Sequence, residues 1–179
     1  KLKIMGIEAV KSSTPAACRT SIKDCLKVIM NQDEEAAQKF IADFREEFSS
    51  LPIEDISFPR GCNGINKWSH PATIYSKGTP IHVRGALLYN FYNKKNKLTH
   101  KYPLIQDGEK IKFVYLKTPN KINENVISYL ATFPKEFGLD KQVDYDLQFS
   151  KSFLDPIRVI MDVIGWQPEK VASLEFLFG

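Results

Sequence analysis

The sequence predicts an α+β fold in which a helical hairpin and C-terminal helices flank a small basic region of strands and loops. Two consecutive stretches before residue 50 carry apolar residues at helical spacing. Between residues 110 and 130 the apolar positions alternate or form a β-branched run, as they do in strands. At 179 residues and 43% hydrophobic, the chain is long enough to bury one substantial core.

The first 50 residues predict a strand followed by two paired helices. Residues 1–10 form the strand, and the segment 12–15 then starts a helix, because a hydroxyl N-cap followed by proline suits the first turn. The apolar face of this helix comprises Cys18, Ile22, Cys25, Leu26 and Ile29. A second helix starts at residues 33–35, where acids interact favourably with the helix dipole. Its apolar stripe comprises Ala37, Phe40, Ile41, Phe44 and Phe48.

Proline and glycine divide the rest of the chain. The predicted elements are a strand at 53–58, loops over 59–80, a helix at 81–93, strands at 111–115 and 126–133, and helices over 140–164. Asp155-Pro156 predicts a fresh helix start or a kink, because proline cannot continue the backbone hydrogen bonds. Gly165 is expected to terminate the last helix.

Positive charge is concentrated in residues 60–121, here called the basic block. It holds twelve Lys/Arg and two acids, Asp107 and Glu109, whereas the flanks together hold thirteen basic and nineteen acidic residues. All three histidines also lie in the block: His70, His82 and His100. Such a concentrated positive field indicates a polyanionic partner, with nucleic acid as the leading candidate.

Two features of the basic block favour nucleic acid over an ordinary solvated surface, which stays open as the alternative. Glycines at 61, 64 and 78 allow backbone N–H groups to approach phosphate. Aromatic residues that can pack on sugars or bases are interleaved with the charges: Trp68, Tyr75, Tyr89, Phe91, Tyr92 and Tyr102. No helix-turn-helix, zinc-finger or single-strand-binding signature is present, so backbone contact is expected rather than base reading.

Three other sites carry competing interpretations. Asp144 and Asp146 could bind Mg²⁺ in a small nuclease, but residues two apart on a helix point to different sides, which favours a structural role. Arg84 either contacts phosphate or forms a structural ion pair. The apolar C-terminal residues either fold back on the domain or insert into a partner's groove.

The remaining composition favours a chain with free thiols and no membrane partner. Three cysteines are an odd number, and Cys18 and Cys25 lie about 10 Å apart along one helix, too far for a disulfide. We therefore expect reduced thiols and a cytosolic setting. No apolar run approaches the roughly 20 residues of a membrane-spanning helix. The start at Lys1, without Met, leads us to expect a fragment or a processed chain.

Four segments resemble B-family DNA polymerases, and among these the replicative polymerases of T-even bacteriophages. KLKIMGIEAVKSSTP resembles their palm-to-thumb junction, and PIHVRGALLYN and VDYDLQFSKSFLDPIRVIMDVIGW resemble thumb segments. ASLEFLFG is similar to the tail that binds the sliding clamp. The resemblance implies a palm-junction strand at 1–10, a thumb at 11–165 and a clamp-binding tail at 166–179.

The resemblance also implies partners and contact residues. The expected partners are duplex primer–template DNA, a sliding clamp and the remainder of the polymerase, whose palm would hold Mg²⁺. This chain would then need no cofactor of its own and would act in the cytoplasm of an infected bacterium. The implied DNA contacts are Lys3, Lys11, Lys67, Trp68, Arg84, Lys110 and Lys151. The implied clamp contacts are Leu174, Phe176, Leu177 and Phe178.

Some positions depart from the family pattern, and other assemblies stay open. Gly78, Asn125 and Asp155 stand where the resemblance leads us to expect lysines, and Asp155 would repel phosphate. A free-standing subunit of a split phage polymerase would have the same chemistry with a separately encoded palm. The metal-dependent nuclease and a pure interaction adaptor are the alternatives from other classes.

Overall fold

The computed structural model describes residues 10–170. Residues 1–9 of the predicted strand at 1–10, Lys3 among them, therefore lie outside the described residues, as do the four apolar tail residues Leu174, Phe176, Leu177 and Phe178. The main helices are α1 (Ala16–Asn31), α2 (Glu34–Phe48), α3 (Ile53–Ile56), α4 (Ile65–Trp68), α5 (Ile81–Lys95), α6 (Tyr145–Phe149) and α7 (Asp155–Val163). The strands are β1 (Phe58–Gly61), β2 (Ser69–His70), β3 (Ile74–Tyr75), β4 (Lys110–Tyr115) and β5 (Val126–Tyr129).

This mixture of helices and strands confirms the predicted α+β class. Short 3₁₀ turns at Lys135–Phe137 and Asp140–Gln142 connect the sheet to α6, and a π-helical turn at Ser150–Leu154 joins α6 to α7. Two compact units are present, residues 10–51 with 149–170 and residues 52–148. Within the described residues, no helix is long and apolar enough to cross a membrane.

The first unit contains the predicted helical hairpin. The residues that α1 buries are Cys18, Ile22, Cys25 and Ile29, and those that α2 buries are Ala37, Ile41, Phe44 and Phe48. The Asp33 carboxylate accepts the Ala36 N–H at 2.9 Å and so caps α2. The predicted hydroxyl cap of α1 is wrong, because Pro15 occupies the N-cap and the Thr14 hydroxyl accepts the Lys11 N–H instead.

Aromatic packing joins the hairpin to the C-terminal helices of the same unit. Phe44 and Phe48 of α2 lie against Phe149 and Phe153, with ring centroids 4.7–5.9 Å apart in tilted and edge-on arrangements. The Arg45 guanidinium lies 4.6 Å from the centroid of the Phe149 ring and adds a cation–π contact. These rings form the apolar centre of the unit.

At Asp155-Pro156 the structure has neither a break nor a regular α-helical turn: a wider π-helical turn precedes the proline. The Asp155 N–H bonds to the Ser150 carbonyl five residues back, so the π turn relieves the crowding that proline causes in a regular helix. Gly165 ends α7 as predicted, with φ of +74°. The N–H groups of Gly165 and Trp166 bond to the carbonyls of Asp162 and Met161, which is the Schellman arrangement.

The second unit contains an antiparallel sheet in the order β1-β4-β5, with α5 packed on one side. Phe58 pairs with Phe113, and Phe113 with Ser128. Gly85 permits the close approach of α5, because a Cβ there would lie 2.8 Å from the Ser128 backbone nitrogen. The Ser128 hydroxyl donates to the His82 carbonyl at 2.8 Å and ties the helix to β5.

The predicted strand at 53–58 is wrong over most of its length. Residues 53–56 form the short helix α3 with Pro52 at its N-cap and acids in its first turn, and pairing begins only at Phe58. The Ser57 hydroxyl donates to the Ile53 carbonyl and meets the buried Tyr129 hydroxyl at 2.5 Å. Burial raises the pKa of Tyr129, so this phenol stays protonated.

Candidate nucleic-acid interface

Lys67 and Trp68 are presented by α4, a single helical turn that a distant carboxylate caps. Gly64 precedes the turn with φ of +85°, a conformation that favours glycine. The Asp107 carboxylate accepts the N–H groups of Gly64 and Ile65 at 2.6 and 3.1 Å. The exposed Lys67 ammonium lies 5.0 Å from the Trp68 ring centroid, so a cation and an amphipathic ring are held together at the surface.

Both acids of the basic block are engaged by backbone N–H groups. Asp107 caps α4, and the Glu109 carboxylate accepts the Gln106 N–H at 2.8 Å. These hydrogen bonds fix the positions of both carboxylates and hold the loops that donate to them. Within residues 10–170, ion pairs of the block join Arg84 to Glu124 and Lys101 to Glu136. The block's ten other basic side chains form no ion pair with a described residue.

Lys110 lies at the start of β4, whose partner strand β1 leads into the segment 62–68 that carries Lys67. It pairs with Gly61 in the sheet register, and the Cys62 N–H bonds to the Glu109 carbonyl at 2.8 Å. Its side chain is exposed. The structure thus places Lys67, Trp68 and Lys110 on adjoining segments of one unit.

Arg84, on α5, forms the structural ion pair that the sequence left open as the alternative to phosphate contact. Its guanidinium lies 3.6 Å from a Glu124 oxygen and donates to the Asn125 side-chain oxygen at 2.8 Å. The Tyr75 hydroxyl donates to Glu124, and Arg84 lies over the Tyr75 ring. Because Glu124 already balances its charge, Arg84 is placed to fix the β2–β3 hairpin against α5.

The neighbouring His82 adds no positive charge near neutral pH. Burial, followed by the nearby Arg60 guanidinium, lowers its pKa below the ordinary histidine value. Its ring packs 6.4 Å from that of Phe113. His82 therefore contributes to packing between α5 and the sheet.

The structure describes two more of the implied DNA contacts and the three positions where lysine was expected. Lys11 and Lys151 are exposed and belong to the unit of residues 10–51 and 149–170. Gly78 has φ of +84°, which explains glycine where a lysine was expected. Asn125 accepts the hydrogen bond from Arg84, and Asp155 pairs with Arg158 at 3.0 Å.

Asp144 has a structural function at the start of α6. Its carboxylate accepts the Leu147 N–H at 3.0 Å, and its carbonyl accepts the Gln148 N–H, as expected of a residue that begins a helix. Asp146 is exposed in the first turn. In the part of the chain that the structure describes, no three His, Cys, Asp or Glu side chains are grouped to hold a metal ion.

Sequence reasoning did not single out a groove beside α5. Phe91, Lys94 and Lys95 line it, and their spacing of three and four residues places them on one side of the helix. That spacing was the available signal, since these residues lie within the basic block. Phe91 is 42% exposed and lines this groove with its ring partly open to solvent.

Comparison with known proteins shows similarity to phage DNA polymerases. No protein-family model matches the chain. It is 30% identical over 182 residues to the DNA-directed DNA polymerase of Enterobacteria phage T4, and 31% identical over 183 residues to that of Escherichia phage RB69. Each match covers 99% of this chain and 20% of the relative. The chain therefore spans about a fifth of the length of these relatives.

A solved structure shares the fold. The family B DNA polymerase from the hyperthermophilic archaeon Pyrobaculum calidifontis matches with a TM-score of 0.53 and 16% identity. The match covers 87% of this chain and 18% of that one. Together with the phage relatives, it confirms the resemblance to B-family polymerases found in the sequence.

Proposed function

We propose that this chain forms the thumb of a DNA-directed DNA polymerase, the part that holds primer–template duplex DNA behind a catalytic centre in the remainder of the enzyme. One observation carries the proposal. In a chain similar to phage polymerases over 99% of its length, ten basic side chains of the basic block form no ion pair with a described residue. A chain with this charge distribution is suited to bind the phosphate backbone.

Binding through phosphates explains how such a surface acts on any sequence. Lys67 and Lys110 would each neutralise a phosphate and release its condensed counterion, while the Trp68 ring would pack on a sugar. Lys3, Lys11 and Lys151 are proposed to contact DNA as well, and Arg84 would support the Lys67 and Lys110 surface by holding the hairpin. Base edges would not be read, so the polymerase could move along its template.

Fluorescence anisotropy with a labelled primer–template duplex tests this proposal on the 179-residue chain. Replacing Lys67 and Lys110 together by Gln should weaken binding by about tenfold or more at low salt, because two phosphate contacts are lost. The matched control replaces Lys23 and Lys27, two exposed lysines of α1, and should leave the affinity within about twofold. Equal losses in both double variants would contradict the assignment.

The C-terminal tail is proposed to bind a sliding clamp through Leu174, Phe176, Leu177 and Phe178. A short apolar motif in a partner's groove would keep the enzyme near DNA and raise the effective concentration of the duplex. Replacing Leu174 and Phe178 by Ala should abolish binding of this chain to the sliding clamp of the same organism. Duplex binding should be unchanged. Capture that survives both substitutions would refute this role.

The remainder of the polymerase is the third proposed partner. The catalytic carboxylates and their Mg²⁺ would belong to that part, in an infected bacterial cell, whether it is joined to this chain or separately encoded. Co-purification with a separately expressed palm fragment would identify a split enzyme. Cleavage of DNA by this chain alone with Mg²⁺, lost in Asp144→Asn, would favour the nuclease alternative instead.

A further inference from the structure

A groove of about 1100 Å³ lies within residues 52–148, between α5, the β2–β3 hairpin and the loop at 104–107. Its base is apolar and includes Ile65, Leu87 and Leu104. Phe91 lines the groove while remaining 42% exposed, and the Tyr92 ring packs edge-on against it with centroids 5.0 Å apart. The groove thus offers a flat aromatic surface beside an apolar base, within one compact unit.

The charges at this groove favour an anionic occupant. Lys94 and Lys95 both line it from the last turn of α5, and both are exposed. Asp107 is the carboxylate in the lining, and it is held by the N–H groups of Gly64 and Ile65. A ligand that combines apolar faces with negative charge would match this lining.

The shape of the groove is held by local structure. Asn90 exchanges two hydrogen bonds with the Ile105 backbone, at 2.8 and 2.9 Å, which ties the 104–107 loop to α5. Ile74, which also lines the groove, has φ of +73°, a left-handed conformation that β-branched residues avoid. Strain of this kind persists where the surroundings hold a residue in place, often at binding sites.

We propose that this groove binds unpaired nucleotides of a single DNA strand, with a base stacked on Phe91 and its phosphates paired with Lys94 and Lys95. Duplex DNA presents phosphates but hides its base faces, so it would leave the aromatic and apolar lining unused. Single strands expose both, and positive grooves with aromatic platforms are the usual means of binding them. This site goes beyond the proposed duplex grip, and its residues are distinct from Lys67, Trp68 and Lys110, the contacts assigned to the duplex.

The test measures binding of the whole chain to a fluorescein-labelled twelve-nucleotide oligothymidylate at low salt. Phe91→Ala should weaken binding between about fivefold and about 150-fold, the range expected for one stacked base. Phe91→Tyr keeps the ring and should bind within about twofold of the parent, whereas Phe91→Leu keeps apolar bulk and should lose affinity as Ala does. Lys94→Gln with Lys95→Gln should also weaken binding, whereas Lys23→Gln with Lys27→Gln, in α1 and outside the basic block, should not.

A second probe separates stacking from charge. A twelve-unit abasic strand has the same backbone charge and should bind more weakly than oligothymidylate, by about the factor that Phe91→Ala costs. Equal binding of the two strands, or full binding by Phe91→Leu, would overturn the proposal and favour an apolar peptide or a purely electrostatic contact. The duplex affinity should be unchanged in Phe91→Ala and reduced in the Lys67/Lys110 variant, so failure of either site is distinguishable from failure of the other.

Discussion

Replacing Gly85 by Ala should separate α5 from the sheet, although alanine is the better helix former. An added Cβ would lie 2.4 Å from the Ser128 hydroxyl oxygen, 2.8 Å from its backbone nitrogen and 3.1 Å from the Ile127 carbonyl carbon. The hydroxyl can rotate away, but the backbone atoms cannot. To restore an ordinary contact of 3.4 Å with the nitrogen, α5 must move about 0.6 Å away from β5. A gap of that size forfeits about a quarter or more of the dispersion energy of the contacts between the helix and the strand.

The expected net loss of stability is about 2 kcal/mol. Overpacking costs about 3 kcal/mol when the surroundings cannot yield, and the helix propensity of alanine returns about 1 kcal/mol. Urea unfolding followed by circular dichroism should show a midpoint lower by about 1 M, given an m-value near 2 kcal/mol/M. The matched control is Gly61→Ala, whose Cβ would make an ordinary 3.6 Å contact with Asn63. Gly85→Ala at or above parent stability would refute the packing argument.

Three further substitutions or treatments test the account. Asp107→Ala should lower stability by about 1 kcal/mol in urea unfolding and weaken duplex binding, because α4 loses its cap. Tighter duplex binding would instead show that its charge merely repels DNA. Tyr129→Phe should cost about 1 kcal/mol through the lost contact with Ser57, and an unchanged urea midpoint would contradict this. Burial raises the pKa of the three thiols to about 11 or 12, so a thiol reagent at pH 8 should label them only after unfolding. Rapid labelling of the native chain would contradict that burial.

Local patterns were sufficient to predict the long helices α1, α2 and α5. Each turn of α1 and α2 places an apolar residue on the buried side, and α2 begins at the acids that predicted its start, with Asp33 as its N-cap. Gly165 likewise ends α7 because the left-handed position it occupies suits glycine. These features depend on neighbours within four or five residues, which the sequence displays directly.

The errors arose where distant residues decide the outcome. Residues 53–56 have the apolar content of a strand, but Pro52 and two acids favour a helical turn. Of residues 53–58, Phe58 alone pairs with β4. The cap of α4 comes from Asp107, more than forty residues away. The Arg84–Glu124 pair spans a similar distance. Sequence patterning located the basic block but could not show which of its charges are neutralised.

The salt dependence of duplex binding tests the central claim most directly. For the 179-residue chain, the logarithm of the association constant should fall linearly with the logarithm of salt concentration, with a slope of about −0.9 for each phosphate contacted. Replacing Lys67 and Lys110 by Gln should make the slope shallower by about 2, one for each lost phosphate contact. An affinity that does not vary with salt, or a slope that the double substitution leaves unchanged, would contradict the assignment of these lysines to the DNA backbone.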